Sequence, residues 1–334
     1  MKNFWQKMKK PLFVLAPMAN VTDSAFRAMF AKYGKPDVTW TEFVSADGLC
    51  SPKGKIMLMR DLAFTPKERP IVAQLFTGHP EAMMKAAKLV AKLGFDGIDI
   101  NMGCPDRSVE KQGGGAAMIK DPKNAIAVLN AARSGSKVGT KEIPVTIKTR
   151  IGYNTVDWAW LRLILEQNLP VLTVHLRTRK EMSDVPAHWE LMPEIVILRD
   201  EIQKDITPEN RTLIIGNGDV HSLADGDEKI KTYGCDGVMI GRGIFGKPWF
   251  FNRIAKDKTP EERLKILLEH AKLFAKTFNG KKKGSHKNFA VMKKHFKAYV
   301  SGWDGAKELR VQLMEVENVM QVEKIVKEYL ANYR

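Results

Sequence analysis

Along the first 240 or so residues of the chain, short apolar runs and amphipathic stretches alternate eight times. The runs cover residues 12–16, 38–44, 71–76, 97–100, 143–147, 171–174, 212–215 and 237–240. They are rich in Val and Ile and are bounded by Gly, Pro or polar residues, as expected of parallel strands buried on both faces. Between them, residues 80–93 place Met83, Met84, Ala87, Val90 and Ala91 at helical spacing. Residues 121–132 and 155–167 follow the same pattern. Eight strand–helix units predict a (β/α)₈ TIM barrel. A doubly wound parallel sheet is the alternative, because spacing alone does not close a sheet. The rhythm stops near residue 257. There Thr259-Pro260-Glu261-Glu262 forms a capping box with Pro at the first helical position. Leu264, Leu267, Leu268, Ala271 and Phe274 then make one apolar stripe, and Val322, Ile325, Val326, Tyr329, Leu330 and Tyr333 another. The expected layout is a catalytic barrel over 1–256 and a module of about four helices over 257–334.

Charge changes this picture. The 334 residues carry a formal net charge of +16, which suggests a polyanionic partner. From Ala271 to Val300 there are nine lysines (272, 276, 281, 282, 283, 287, 293, 294 and 297) and no acidic residue. The last quarter of the chain therefore holds over half of the net charge. A solvated lysine face is the bland reading, and an interaction surface the sharper one. No apolar stretch reaches the length of a membrane span, and the N-terminus lacks the apolar segment of a signal peptide. Three cysteines, at 50, 104 and 235, have no metal-ligand spacing. They read as free thiols in a reducing, cytoplasmic setting, with no metal expected. Cys50 and Cys235 read as small buried hydrophobes.

In a parallel barrel, polar residues just past the strands' C-terminal ends face one mouth. Those positions hold Pro17-Met18-Ala19, Gln74, Asn101 with Cys104, Lys148 with Arg150, His175 with Arg177, Asn217-Gly218-Asp219, and Gly241-Arg242-Gly243. The last two follow the seventh and eighth runs, where barrels commonly bind phosphate. Arg242 adds a charge-assisted donor there. The match of residues 241–246 to G-x-G-x-x-G comes too late in the chain to be a dinucleotide fingerprint. Lys148 and His175 would flank a bound flavin ring and favour its anionic reduced form, and Gln74 could bond its polar edge. Cys104, in Asn101-Met102-Gly103-Cys104-Pro105 ahead of Gly113-Gly114-Gly115, could serve as an acid or a nucleophile, or lie inert. An ordinary thiol is mostly protonated at neutral pH and can donate.

These segments resemble the tRNA-dihydrouridine synthase family over nearly the whole chain. The resemblance is carried by Ala16-Pro17-Met18-Ala19, Asn101-Met102-Gly103-Cys104-Pro105, Thr146-Ile147-Lys148-Thr149-Arg150, His175-Leu176-Arg177-Thr178-Arg179, Asn217-Gly218-Asp219 and Gly241-Arg242. It implies flavin mononucleotide (FMN) as cofactor and NADPH as reductant, with hydride delivered to C6 of a tRNA uridine and Cys104 protonating C5. Pro17, Met18, Ala19, Gln74, Lys148, His175, Asn217, Gly218, Asp219, Gly241 and Arg242 would hold the flavin. Asn101, Arg150 and Arg177 would hold the uracil, a base that must leave its stack to react. Lys281, Lys282, Lys283, Lys293, Lys294 and Lys297 would grip tRNA, and a monomer would suffice. A barrel flavoenzyme acting on a small metabolite, similar to dihydroorotate dehydrogenase, is the alternative, but it leaves the basic helical module without a purpose. The chain departs from the family pattern once: Ser183, Val185 and His188 stand where Tyr, Gly and Asp are usual. That leaves open which uridine is read.

Overall fold

The computed structural model describes residues 3–278, 280 and 284–332. Eight parallel strands follow one another around a single sheet: β1 Leu12–Leu15, β2 Thr39–Ser45, β3 Ile71–Phe76, β4 Gly97–Met102, β5 Val145–Arg150, β6 Val171–His175, β7 Leu213–Asn217 and β8 Gly237–Ile240. β8 pairs with β1. β1 meets the start of β2 through a parallel bridge, Val14 to Val38. Leu15 N–H donates to Val38 O at 3.2 Å, and Asp37 N–H to Phe13 O at 3.0 Å. With its first and last strands joined, the sheet is a barrel, and the open doubly wound alternative falls.

Helices α1 Ser24–Tyr33, α2 Pro80–Lys92, α3 Pro122–Gly135, α4 Trp158–Leu165, α5 Met192–Ile202 and α6 Leu223–Tyr233 run between the strands. Most start where the sequence supplies a cap. Asp23 Oδ1 accepts the Phe26 N–H at 3.0 Å, Asp157 Oδ1 the Trp160 N–H at 2.9 Å, and Ser222 Oγ the Asp225 N–H at 3.0 Å.

Side chains alternate along each strand, so a barrel strand feeds two cores. Outward residues such as Ile98, Ile100, Ile147 and Val174 join the helices in one large cluster. Inward residues, among them Val14, Val72, Val171, Ile215 and Met239, form a smaller cluster inside the barrel. Trp5, on the short turn Trp5–Lys7, plugs the base of that interior; it is 1% exposed, with its ring centroid 5.7 Å from Trp40's. Above this apolar layer the inward positions turn polar, which is where the site begins.

Beyond the barrel lie α7 Pro260–Phe278, α8 Lys293–Tyr299, α9 Ala306–Glu315 and α10 Val319–Asn332. The capping box closes both ways: Thr259 N–H donates to Glu262 Oε2 at 2.8 Å, and Glu262 N–H to Thr259 Oγ1 at 3.2 Å. The module packs on α1, where Phe26 stacks on His270 at 4.9 Å and meets His295 at 4.5 Å.

The lysine block is not uniformly exposed. Lys294 and Lys297 face solvent and Lys293 is half-buried. Lys281, Lys282 and Lys283 lie outside the described residues. Lys287 departs from a surface reading: it is 5% exposed and paired with carboxylates. Cys235 is buried as expected, but Cys50 is exposed, because it ends the short helix Ala46–Cys50 at the barrel rim.

Arg27 on α1 ties the barrel's flank together. Its Nε donates to Glu68 Oε2 at 2.8 Å and its Nη1 to Thr22 O at 2.7 Å, with both charged side chains fully buried. Removing one partner of a buried pair strands the other charge. Arg27→Met is therefore expected to cost about 3–5 kcal/mol, read as a lower urea midpoint; an unmoved midpoint would contradict this account.

Candidate active site

The register of the strands assembles the site. Asn101 of β4 stands beside Lys148 of β5, Arg150 beside His175 of β6, and His175 beside Asn217 of β7. β4 to β7 thus deliver polar inward residues on successive levels, beneath and around a cleft of about 280 Å³ at the barrel mouth. Lys148, Arg150, His175 and Arg177 line it together with Asn217, Gly218, Asp219, Gly241 and Arg242, and Pro17, Met18 and Met239 supply apolar surface. Ala19 is exposed beside the cleft rather than lining it, and Gln74 and Asn101 lie buried beneath.

Below the cleft runs a buried polar network. Gln74 Nε2 donates to Asp99 Oδ2 at 2.7 Å, Thr146 Oγ1 to Asp99 Oδ1 at 2.6 Å, and Asn101 Nδ2 to Gln74 Oε1 at 3.1 Å. Burial raises the Asp99 carboxyl to about 6, against the pull of its donors and of Lys148. Asp99 is a site residue that sequence reasoning passed over. Its signal was present, an acid at an inward position of an otherwise apolar strand. Asn101 spends its remaining oxygen on the turn: Oδ1 accepts the N–H groups of Gly103 at 3.1 Å and Cys104 at 2.9 Å. This side-chain turn bends the chain off β4 and fixes the cysteine.

Gly115 supports the turn from below. Its φ is +60°, and a Cβ there would stand 2.5 Å from Cys104 O, which accepts the Ala116 N–H at 2.9 Å. Cys104 itself is half-buried next to the lining residue Pro105. Burial pushes its thiol up, outweighing the cations Lys148 and Arg150. The thiol is therefore protonated at neutral pH and available as a donor.

The cations differ in what they do. Burial, then Arg150, brings the Lys148 ammonium down to about 8. The Lys148 side chain makes no hydrogen bond with any described residue, and it lines the cleft. Arg150 is engaged: Nε donates to Gly103 O at 2.8 Å, and Nη1 to Thr178 O at 2.8 Å and Met182 O at 2.9 Å. It locks the Cys104 turn to the loop after β6. Arg177 Nη1 meets His175 Nε2 at 3.2 Å. A guanidinium can only donate, so Nε2 accepts and the imidazole proton sits on Nδ1. Burial and four surrounding cations hold His175 neutral. Burial disfavours the Asp219 charge, but bonds from Arg177 and Arg242 bring its carboxyl down to about 2. One carboxylate thus anchors two arginines at the cleft's far end.

The loop after β6 carries the departure from the family pattern. Met182, with φ +54°, and Ser183 line the cleft. Val185 O accepts Arg177 Nε at 2.6 Å. His188 reaches Glu181 Oε1 at 2.9 Å and Glu190 Oε1 at 3.0 Å, and those carboxylates raise its pKa. The basic residue at 188 is thus matched by two acids of its own. Arg179 pairs with Glu110, clamping this loop to the segment after Cys104. The clamp did not show in the sequence, since it rests on pairing between distant loops, whereas the cleft residue His221, four residues past the end of β7, was passed over. Among the described residues, no cluster of three or more His, Cys, Asp or Glu could hold a metal. Among the described residues, no helix is long and apolar enough to cross a membrane.

Comparison with known proteins bears on this geometry. Among solved structures, 6-hydroxypseudooxynicotine amine oxidase from Pseudomonas geniculata N1 aligns at a TM-score of 0.52 and 15% identity, over 91% of this chain and 56% of that one. Morphinone reductase aligns at 0.50 and 14%, over 77% and 89%. These likenesses speak to the barrel fold. Among curated proteins, "Probable tRNA-dihydrouridine synthase" of Staphylococcus aureus is 40% identical over 332 residues, 99% of this chain and 96% of that protein. "Probable tRNA-dihydrouridine synthase 2" of Bacillus subtilis is 40% identical over 334 residues, covering 99% and 98%. A family model described as dihydrouridine synthase matches residues 14–333. With that match spanning the barrel and the helices beyond it, the chain belongs to the dihydrouridine synthase family.

Proposed function

We propose that this protein reduces the C5–C6 double bond of uridine in tRNA, giving 5,6-dihydrouridine, with FMN as cofactor and NADPH as reductant. The observation that carries this reading is the placement of Cys104, half-buried at the end of β4 with its N–H held by Asn101 Oδ1 at 2.9 Å, beside a cleft that Lys148 lines. Residues 1–256 would be the catalytic barrel and 257–334 the tRNA-binding module.

The lining suits FMN. At Gly241 a Cβ would meet only Met18 Sδ at 3.6 Å and Ala16 Cβ at 3.8 Å. The protein's own packing does not demand glycine there, so the space suits a ligand. Asn217, Gly218, Asp219, Gly241 and Arg242 would hold the phosphate end, and Pro17, Met18 and Ala19 the ring. Gln74 would support the ring's polar edge through the Asp99 network. Lys148 would place its charge beside the ring, and neutral His175 its Nδ1–H. Bound flavin supplies the hydride.

The chain's own groups do the rest. Asn101 sets the height of Cys104 by gripping its backbone N–H. Arg150 keeps the turn closed over the extruded base, and Arg177 holds the far wall. Cys104 Sγ would give its proton to C5, which requires a thiol that is not ionised beforehand. The exposed cations Lys294 and Lys297, with Lys293 and the sequence neighbours Lys281, Lys282 and Lys283, would neutralise tRNA phosphates.

Three outcomes test the reading. Cys104→Ala should retain FMN and NADPH-driven flavin reduction yet form no dihydrouridine in tRNA; turnover at the wild-type rate would remove the donor assignment. Arg242→Ala loses one charge-assisted bond, worth about 1.5–3 kcal/mol, so FMN affinity should drop by roughly tenfold or more on titration. Lys294→Glu together with Lys297→Glu should weaken tRNA binding and lower its salt slope by roughly one unit per residue, with flavin content intact. Equal slopes in variant and wild type would move the RNA surface elsewhere.

A further inference from the structure

We propose that Lys287 is a positioning residue: by seating on Glu42 of β2, it fixes the helical module relative to the catalytic mouth. This rests on the tRNA reading above and deepens it. Lys287 belongs to the basic run that precedes α8, yet it turns away from solvent. Its Nζ donates to Glu42 Oε2 at 2.5 Å and stands 2.9 Å from Asp61 Oδ1, with its side chain 4% exposed. Its ammonium lies over the Phe278 ring, 5.2 Å from the centroid. An RNA contact needs its charge outside, so Lys287 is not one.

The geometry around Glu42 gives the pairing a direction. β2 and β3 shift register between Trp40 and Phe43, so a bulge spans Thr41 and Glu42. Bulges beside functional sites commonly re-aim a side chain. Glu42 is 5% exposed, and its other oxygen, Oε1, accepts the Asn20 N–H at 2.5 Å. Asn20, with φ +54°, directly follows Pro17-Met18-Ala19. One carboxylate thus holds the loop at the cleft with one oxygen and the helical module with the other.

The neighbouring chain is seated on the same rim. Gly284 (φ +87°) packs so closely that a Cβ would stand 2.2 Å from Ile56 O. Arg60 Nη1 donates to His286 O. Three successive features, at 284, 286 and 287, therefore meet barrel residues between 42 and 61. Asp23 adds a further negative field, and together these carboxylates keep Lys287 charged despite its burial. Loss of the Lys287 bond would leave the exposed lysines able to grip tRNA but would let the module shift relative to Cys104. Misplacement on the scale of an ångström costs turnover rather than binding.

The test is Lys287→Met in the FMN-loaded full chain, with three measurements. Dihydrouridine kcat is expected to fall by roughly ten- to a hundredfold. The tRNA Kd by fluorescence anisotropy should stay within about threefold, as the phosphate contacts are retained. FMN content and NADPH oxidation with ferricyanide as acceptor should match wild type. Lys287→Arg should recover most of kcat. Glu42→Gln, by contrast, should lower FMN retention as well, because it also loosens Asn20. If the Met variant does not fold, Lys287→Met with Asp61→Asn removes charge in balance and is read the same way. A raised Kd with unchanged kcat would make Lys287 an RNA contact and overturn the proposal. A parallel loss of FMN and ferricyanide activity would make it merely structural. A wild-type chain that forms no dihydrouridine would fault the functional reading, whereas an active wild type with an equally active Lys287→Met would fault only the role of Lys287.

Discussion

Inward side chains of a closed parallel barrel have only one exit, upward along the axis, and this constraint organises the rest of the molecule. The base is stopped by Trp5 and filled by Val14, Val72, Val171, Ile215 and Met239. Polar inward residues can therefore be accommodated only toward the C-terminal mouth. The pairing register places Asn101 next to Lys148, and Arg150 next to His175. Three neighbouring strands then bring four groups to two successive levels without a loop having to deliver them. Such a site inherits the rigidity of the ladder, which is what holding reacting groups in a fixed geometry requires.

Burial does the electrostatic work, and it acts in opposite senses on neighbouring groups. Lys148 is brought down to about 8, Asp99 up to about 6, and the Cys104 thiol above its ordinary value. His175 is kept neutral by the same burial and by the cations around it. Only Asp219 goes the other way from a buried acid, because it is bonded to two guanidinium groups. A compact region thus holds a proton donor, a cation and a neutral imidazole side by side. Separation of roles by environment is how one set of side chains supports a directed proton transfer near pH 7.

Much of this was readable in the sequence because strands buried on both faces leave continuous apolar runs, and all eight runs coincide with strands. The residues that end those runs include most of the cleft lining, so period and position alone located them. What escaped the sequence was pairing at a distance. The Arg179–Glu110 clamp joins two loops, His188 is balanced by Glu181 and Glu190, and Trp5 fits its plug only once the barrel exists. The lysine block misled in one place for the same reason. Composition reports a charge but not its facing, and Lys287 faces inward toward acids some two hundred residues earlier. Cys50 shows the reverse, a residue type usually buried that ends a short rim helix in the open.

The barrel's closure is uneven. Between β4 and β5 five residue pairs stand in register, but between β1 and the chain entering β2 there is one bridge and two backbone bonds. That seam is where the hoop has its clasp, and side chains rather than a ladder hold it shut above: Glu42 reaches across it to Asn20. Local opening should be cheapest along such a line, where few backbone bonds must break at once. The clasp lies directly under the cleft loop that carries Pro17, Met18 and Asn20 and under the seat of the helical module. A breathing motion there would loosen both together and leave the Cys104 side of the barrel, with its long β4–β5 ladder, standing still.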